Sequence, residues 1–224
     1  MLKIIIADDH SVVRQGLIQI ISEVSNMEIS DEATNGNELF KKVLKNHYDI
    51  IILDIKMPGT NVIDLIKNIK LHKAHIPILI LSMYPEEQYA VRVLKAGASG
   101  YLTKESAPGE LVSAIQKIAN GGKYISSKFA EQLADQLGDD SERPMHETLS
   151  DREFQVFQMI SSGKSVKGIS EDLKLSEKTV STYRSRVLQK MKLKNNAELT
   201  HYAFKHNIVD WKYFPFENNE MMNI

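Results

Sequence analysis

The sequence predicts two domains of different class, an α/β doubly wound five-stranded parallel sheet over residues 1–120 and an all-α four-helix module over 148–208. Three observations carry that expectation. Apolar runs of strand length alternate with amphipathic stretches through the first half, which is the pattern of a sheet covered on both faces. The second half shows four helical signals and no strand signal. Between them lies the polar, turn-rich run Gly138-Asp139-Asp140-Ser141-Glu142-Arg143-Pro144, which reads as a flexible connection.

The elements come in order. Leu2–Ala7 reads as a buried strand, Val13–Val24 as a helix, Glu28–Thr34 as a weaker strand and Gly36–Lys45 as a helix. Ile50-Ile51-Ile52-Leu53 is β-branched and continuous, as expected of a central parallel strand. Val62–Leu71 is helical, Ile76–Leu81 a strand, Glu86–Lys95 a helix and Gly97–Leu102 a short strand entered through small residues. Pro108–Ala119 is the last helix of this half, with Pro near its first turn. Gly121-Gly122 breaks the pattern, so 121–147 is assigned to a linker with a helix over 126–137, where Phe129, Leu133 and Leu137 share a face. Beyond it, Ser150 and Glu153 form a capping box for a helix to about Ser162. A short helix spans Val166–Leu173, and Ser176 caps a longer one to about Met191. Asn195 opposite Glu198 starts the last helix, and 209–224 is a tail.

Composition excludes several classes. The hydrophobic and charged fractions of 42% and 25% are those of a folded domain rather than a disordered chain. There is no cysteine, hence no disulfide framework and no thiolate metal site, which suits a reducing compartment. No apolar run approaches a membrane span, and Asp8-Asp9 follows the opening apolar run too soon for a secretory segment. A cytoplasmic protein without membrane attachment is expected. Net charge is −1, but it is unevenly spread. Residues 1–120 carry 13 Lys/Arg against 14 Asp/Glu, whereas 148–224 carry 12 against 9. Lys178, Arg184, Arg186, Lys190, Lys192 and Lys194 follow one another with no acid between them, a local stripe that attracts phosphate backbones.

Chemistry concentrates at the strand ends. In a parallel sheet, functional groups gather beyond the carboxyl ends of the strands, where strand order switches. Asp8 and Asp9 end the first predicted strand, Asp54 the third and Ser82 the fourth, and Lys104 follows the fifth. A lone Asp at such a place is usually a turn or cap residue. Five polar groups at the matching ends of four strands are not explained that way. Three converging carboxylates repel unless a cation joins them, and hard oxygen donors favour Mg²⁺. Lys104 and Ser82 then supply a positive charge and a hydroxyl for the oxygens of a phosphoryl group on Asp54.

Ala7-Asp8-Asp9-His10, Leu53-Asp54-Ile55-Lys56-Met57-Pro58-Gly59, Leu81-Ser82 and Tyr101-Leu102-Thr103-Lys104 together resemble a two-component response-regulator receiver over about residues 1–120. The resemblance implies a flavodoxin-like receiver fold in which Asp54 accepts a phosphoryl group from the phosphohistidine of a sensor histidine kinase. It implies Mg²⁺ held by Asp9, Asp54 and the backbone carbonyl of Lys56, with Asp8 supporting through water. Ser82 and Lys104 would contact the phosphoryl oxygens, and Tyr101 would turn inward as the switch aromatic. The resemblance further implies that the residues at Lys56 and Tyr84 influence how long a phosphoaspartate survives. Val62 stands where many receivers carry Gly. A phosphatase that also forms a phosphoaspartate needs a second carboxylate two residues after the nucleophile as general acid, and here that residue is Lys56. No enzyme beyond receiver self-phosphorylation and self-dephosphorylation is expected. A phosphorylation-independent DNA binder is the remaining alternative.

Leu149-Ser150-Asp151-Arg152-Glu153, Gly163-Lys164-Ser165-Val166-Lys167-Gly168-Ile169-Ser170 and Leu175-Ser176-Glu177-Lys178-Thr179-Val180 resemble the LuxR-type helix-turn-helix. With the receiver this implies a NarL/FixJ-type regulator. Thr182-Tyr183-Arg184 and Ala197-Glu198-Leu199-Thr200-His201 resemble its GacA/UvrY branch. At 100° per residue Val180, Val187 and Met191 fall on one side of the third helix, while Lys178, Ser181, Thr182, Ser185 and Gln189 fall on the other. Ser181, Thr182 and Ser185 are expected to face major-groove bases. Lys178, Thr179, Arg186, Lys164 and Lys167 are expected to contact double-stranded promoter DNA around them. Arg184 lies nearer the buried flank. The expected switch is phosphorylation that releases the DNA-binding face, promotes a homodimer through Ala197–His206, or both. Gly163-Lys164-Ser165 imitates the end of a P-loop, but residue 158 is Gln, not Gly. The seven histidines show no ligand constellation in the sequence, and His72, His75, His201 and His206 read as surface or structural.

Overall fold

The computed structural model of the chain describes all residues except Pro58, 139–143, Asn207 and 210–224, with the backbone alone for 135–138. The core of the polar connection and nearly all of the C-terminal tail therefore lie outside the described residues. The chain divides into two compact units, Met1–Asp140 and Ser141–Ile224.

The first unit contains β1 (Leu2–Ala7), α1 (Ser11–Ser22), β2 (Met27–Ala33), α2 (Gly36–Lys45), β3 (Ile50–Asp54), α3 (Val62–His72), β4 (Ile78–Ser82), α4 (Glu86–Ala96), β5 (Gly100–Thr103), α5 (Ala107–Ala119) and α6 (Ser127–Gly138). All strand pairs are parallel, in the order β2-β1-β3-β4-β5. The chain moves outward from β1 to β2, then returns to the other side of β1 for β3. The crevice beyond the ends of β1 and β3 is thus the switch point of the sheet. Alternation along the strands sends Ile4, Ile6, Ile50, Ile52, Leu79 and Leu81 into a core with α1 and α5. Ile5, Ile51, Leu53, Ile78 and Ile80 go to the opposite core with α2, α3 and α4. Both faces are covered, which is why Ile4–Ala7, β3 and β4 read as apolar runs, whereas the edge strand β2 does not.

Two expectations are corrected here. The fifth strand starts at Gly100, not Gly97, because Gly97 ends α4 in the left-handed region at φ 115° and its N–H bonds back to the Leu94 carbonyl. The residues after Gly121 do not leave the first unit. Tyr101 N–H donates to the Tyr124 carbonyl at 2.8 Å, and Tyr124 N–H donates to the Ser99 carbonyl at 3.1 Å, so Tyr124 covers the outer edge of β5. Phe129 on α6 is buried in the core formed with α2, α3 and α4. Glu86, the first residue of α4, accepts from Ser126 N–H at 2.9 Å and from the Ser126 hydroxyl. Val62 is accommodated as a buried first residue of α3, capped by the Asn61 side chain.

The second unit opens with a 3₁₀ turn, Met145–Thr148, followed by α7 (Asp151–Ser161), α8 (Val166–Leu173), α9 (Glu177–Lys190) and α10 (Asn196–Lys205). The capping box of Ser150 and Glu153 is formed. Ser165, Ser176 and Asn195 each accept an N–H from their own helix. A three-residue turn joins α8 to α9, and Lys174 in it takes a left-handed φ of 52°. Lys190 on α9 reaches Glu153 on α7 at 2.6 Å, and Arg184 on α9 donates to Asn196 on α10 at 2.7 Å. No helix among the described residues is long and apolar enough to cross a membrane.

Candidate functional site

The crevice at the switch point holds the residues that the sequence singled out. Asp8 and Asp54 are 1% and 3% exposed, Ser82 is fully buried, and Asp9 sits at the rim. Lys104 reaches in from the end of β5, its Nζ 2.7 Å from Asp8 Oδ2 and 3.1 Å from Asp54 Oδ2. Its backbone is fixed by an N–H bond of 2.7 Å to the Ser82 carbonyl. Burial pushes the Asp54 carboxyl up to about 6. Lys104 opposes that shift, the Asp8 charge adds to it, and the Lys56 backbone N–H bonded to the carboxylate opposes it. Lys56 itself points an exposed side chain to solvent. Arg14, absent from the sequence-based site, holds the Asp8 carbonyl at 2.8 Å and pairs with Glu32, which fixes the loop after β1.

A divalent cation fits this donor set. Asp8 Oδ2 is buried and, although Lys104 lies close, the contact is outside hydrogen-bond geometry, so the oxygen has no hydrogen-bond partner. Ligand atoms of Asp8, Asp9, His10 and Asp54 all lie within 4.8 Å of one another. His10 corrects the expectation that no histidine joins a ligand constellation. Its Nδ1 is 3.0 Å from Asp9 Oδ1 and 3.2 Å from Asp8 Oδ1.

Behind the crevice, Ser82 Oγ accepts from Tyr84 N–H at 3.0 Å. Tyr101 is fully buried and donates its hydroxyl to the Tyr84 carbonyl at 2.9 Å. The inward position of Tyr101 is therefore present in this structure. Burial raises its phenol well above the ordinary tyrosine range, so it stays a donor.

In the second unit Lys178, Ser181, Thr182, Ser185, Arg186 and Gln189 are exposed along one face of α9, while Val180, Val187 and Met191 are buried. Thr182 and Ser185 donate their hydroxyls to the carbonyls of Lys178 and Ser181 one turn back, at 2.9 and 3.0 Å. Their oxygens keep acceptor capacity toward an incoming base amine. Three residues have other engagements. Lys164 is paired with Asp172, Thr179 is half-buried and bonded to the Ser176 hydroxyl at 2.8 Å, and Arg184 braces α10. Lys167 is exposed. The P-loop look-alike is accounted for locally: Gly163 ends α7 at φ 81° and Ser165 caps α8. His206 is structural, stacked 4.1 Å from the Tyr202 ring.

Comparison with known families separates the same two units. Residues 4–116 match the response regulator receiver domain, and 147–203 match the bacterial regulatory proteins of the luxR family. The response regulator UvrY of Escherichia coli is 35% identical over 209 residues, covering 93% of this chain and 96% of its own. This chain belongs to the response-regulator family. Within it, the architecture is that of NarL/FixJ-type regulators, phosphorylation-dependent DNA-binding proteins, and the resemblance to the GacA/UvrY branch holds. Response regulator GacA of Pseudomonas syringae is 33% identical across 94% of this chain and 99% of its own. Among solved structures, RcsB from Salmonella enterica bound to promoter rprA in the presence of phosphomimetic BeF₃⁻ is 25% identical, with a TM-score of 0.68. It covers 90% of this response regulator and 97% of the RcsB chain.

Proposed function

We propose that Asp54 is the phosphoryl acceptor of this response regulator and that its occupancy controls promoter binding through α9. The observation that supports this most is the placement of Asp54 at the sheet's switch point, buried between Asp8 and Lys104. A phosphohistidine on a sensor kinase is the donor. An oxygen of the Asp54 carboxylate attacks phosphorus, the P–N bond breaks, and the imidazole leaves with its electron pair and takes up a proton. Asp9, Asp54 and the Lys56 carbonyl, with Asp8 behind, would hold Mg²⁺, which would supply charge neutralisation for the transferring group. Lys104 keeps a fixed positive charge against the phosphoryl oxygens, and the Ser82 hydroxyl donates to one of them. Drawing Ser82 forward pulls on Tyr84 N–H, and so on the carbonyl that Tyr101 holds. Hydrolysis of the phosphoaspartate in the same pocket resets the switch.

In the DNA-binding unit, Ser181, Thr182 and Ser185 read base edges while Lys178, Arg186 and Lys167 hold the phosphate backbone. Lys164 and Thr179 join only if they release Asp172 and Ser176. The phosphorylated protein acts as a homodimer through α10, in the cytoplasm. Labelling with a small phosphodonor and Mg²⁺ tests the acceptor, and titration of a promoter fragment then tests the coupling. Label on wild type but not on D54A, with tighter DNA binding by labelled protein, is the expected result. Equal labelling of D54A would overturn the assignment.

A further inference from the structure

We propose that His10 is a nitrogen ligand at the rim of the acidic pocket, so that this site prefers borderline divalent ions such as Co²⁺ over what its carboxylates alone would select. The inference rests on the reading of the pocket as a cation site, and it adds a ligand of different chemistry to it.

Three features support the assignment. His10 occupies the N-cap position of α1, where Ser, Thr, Asp or Asn would bond a helix N–H, yet its ring makes no capping bond. The ring turns instead to the carboxylates, with Nδ1 near Oδ1 of both Asp8 and Asp9. The two oxygens of Asp8 are divided between partners: Lys104 lies against Oδ2, and His10 lies against Oδ1. The imidazole thus stands on the side of the pocket that the ammonium leaves open. Its 64% exposure leaves it free to rotate without disturbing the core. A neutral imidazole suits the later first-row metals, whereas oxygen donors alone suit Mg²⁺. Adding one nitrogen raises affinity for Co²⁺ far more than for Mg²⁺.

Electron spin echo spectroscopy of the full-length protein loaded with MnCl₂ reads the bond directly. Directly bonded ¹⁴N modulation is expected in wild type and lost in His10→Ala and His10→Gln. Calorimetric titration with CoCl₂ and MgCl₂ gives the selectivity. His10→Ala should weaken Co²⁺ about tenfold or more, the scale of losing even an outer-shell partner, and leave Mg²⁺ within about threefold. Circular dichroism confirms folding, which an exposed position that caps nothing should not disturb. Mn²⁺ binding without nitrogen modulation, modulation that persists in His10→Ala, or equal losses for Co²⁺ and Mg²⁺ would overturn the inference and leave the cation site standing. Failure of wild type to bind any of the three ions would sink both.

Discussion

The acidic pocket and the outer face of α9 handle charge in opposite ways. In the pocket, Asp8, Asp54 and Lys104 are nearly buried and face one another at salt-bridge distances. On α9, Lys178 and Arg186 are exposed beside small hydroxyl residues whose hydrogens are spent on the helix backbone. A buried charge is expensive unless paired, so the pocket ties function to stability. An exposed charge costs little, and the helix face can change its contacts without threatening the fold. The first arrangement stores a response to one added group; the second awaits a polyanion.

Substitutions should expose that contrast, in decreasing order of effect. Lys104→Met leaves two acids buried together, and urea unfolding at pH 7.5 should show a loss of about 3–5 kcal/mol. Combining it with Asp54→Asn should restore much of that loss. Asp54→Asn alone should stabilise the metal-free protein by up to about 3 kcal/mol above pH 6. The sign comes from the raised carboxyl. With a folded value of about 6 against 3.8 unfolded, the native state binds more protons between those limits, so stability falls as pH rises through them. The advantage of the Asn variant should therefore fade toward pH 4. Mg²⁺ at about 100 times its Kd should add about 2.7 kcal/mol to wild type, and clearly less to Asp54→Asn. Lys174→Gly, which relieves a left-handed φ in the helix-turn-helix turn, should raise stability by about 0.5–1 kcal/mol in the same assay. Lys178→Ala should move stability by no more than about 0.5 kcal/mol. It should still weaken DNA binding alike for all sequences and reduce the salt slope by about one. A stability loss from Lys178→Ala as large as that from Lys104→Met would erase the contrast.

Much of this molecule is legible in its sequence because parallel sheets obey strict rules. Apolar runs locate the strands, and a strand end with an acid after it locates Asp8, Asp9 and Asp54 without any contact information. The register of Val180, Val187 and Met191 likewise orients α9. The features that stayed hidden depend on contacts distant in sequence or on the rotation of an exposed side chain. Nothing in Ala7-Asp8-Asp9-His10 says which way the imidazole turns. Lys164 looks like a free cation until Asp172 is seen beside it, and the sequence does not reveal that Arg184 braces Asn196. Gly121-Gly122 reads as a domain end, yet Tyr124 bonds to β5 some twenty residues earlier. A local pattern marks a break in the chain without saying where the chain goes next.

The grip of Tyr124 and Ser126 on the sheet edge decides where this regulator can be cut. Excision at residue 120 would bare the peptide groups of β5 and strand the Glu86 carboxylate, inviting edge-to-edge association between copies. A chimera meant to carry this receiver onto another output module should therefore keep everything through α6 and splice beyond Gly138. Limited proteolysis is the simple guide to that junction, with Lys123 and Lys128 expected to resist trypsin for as long as the sheet edge stays covered.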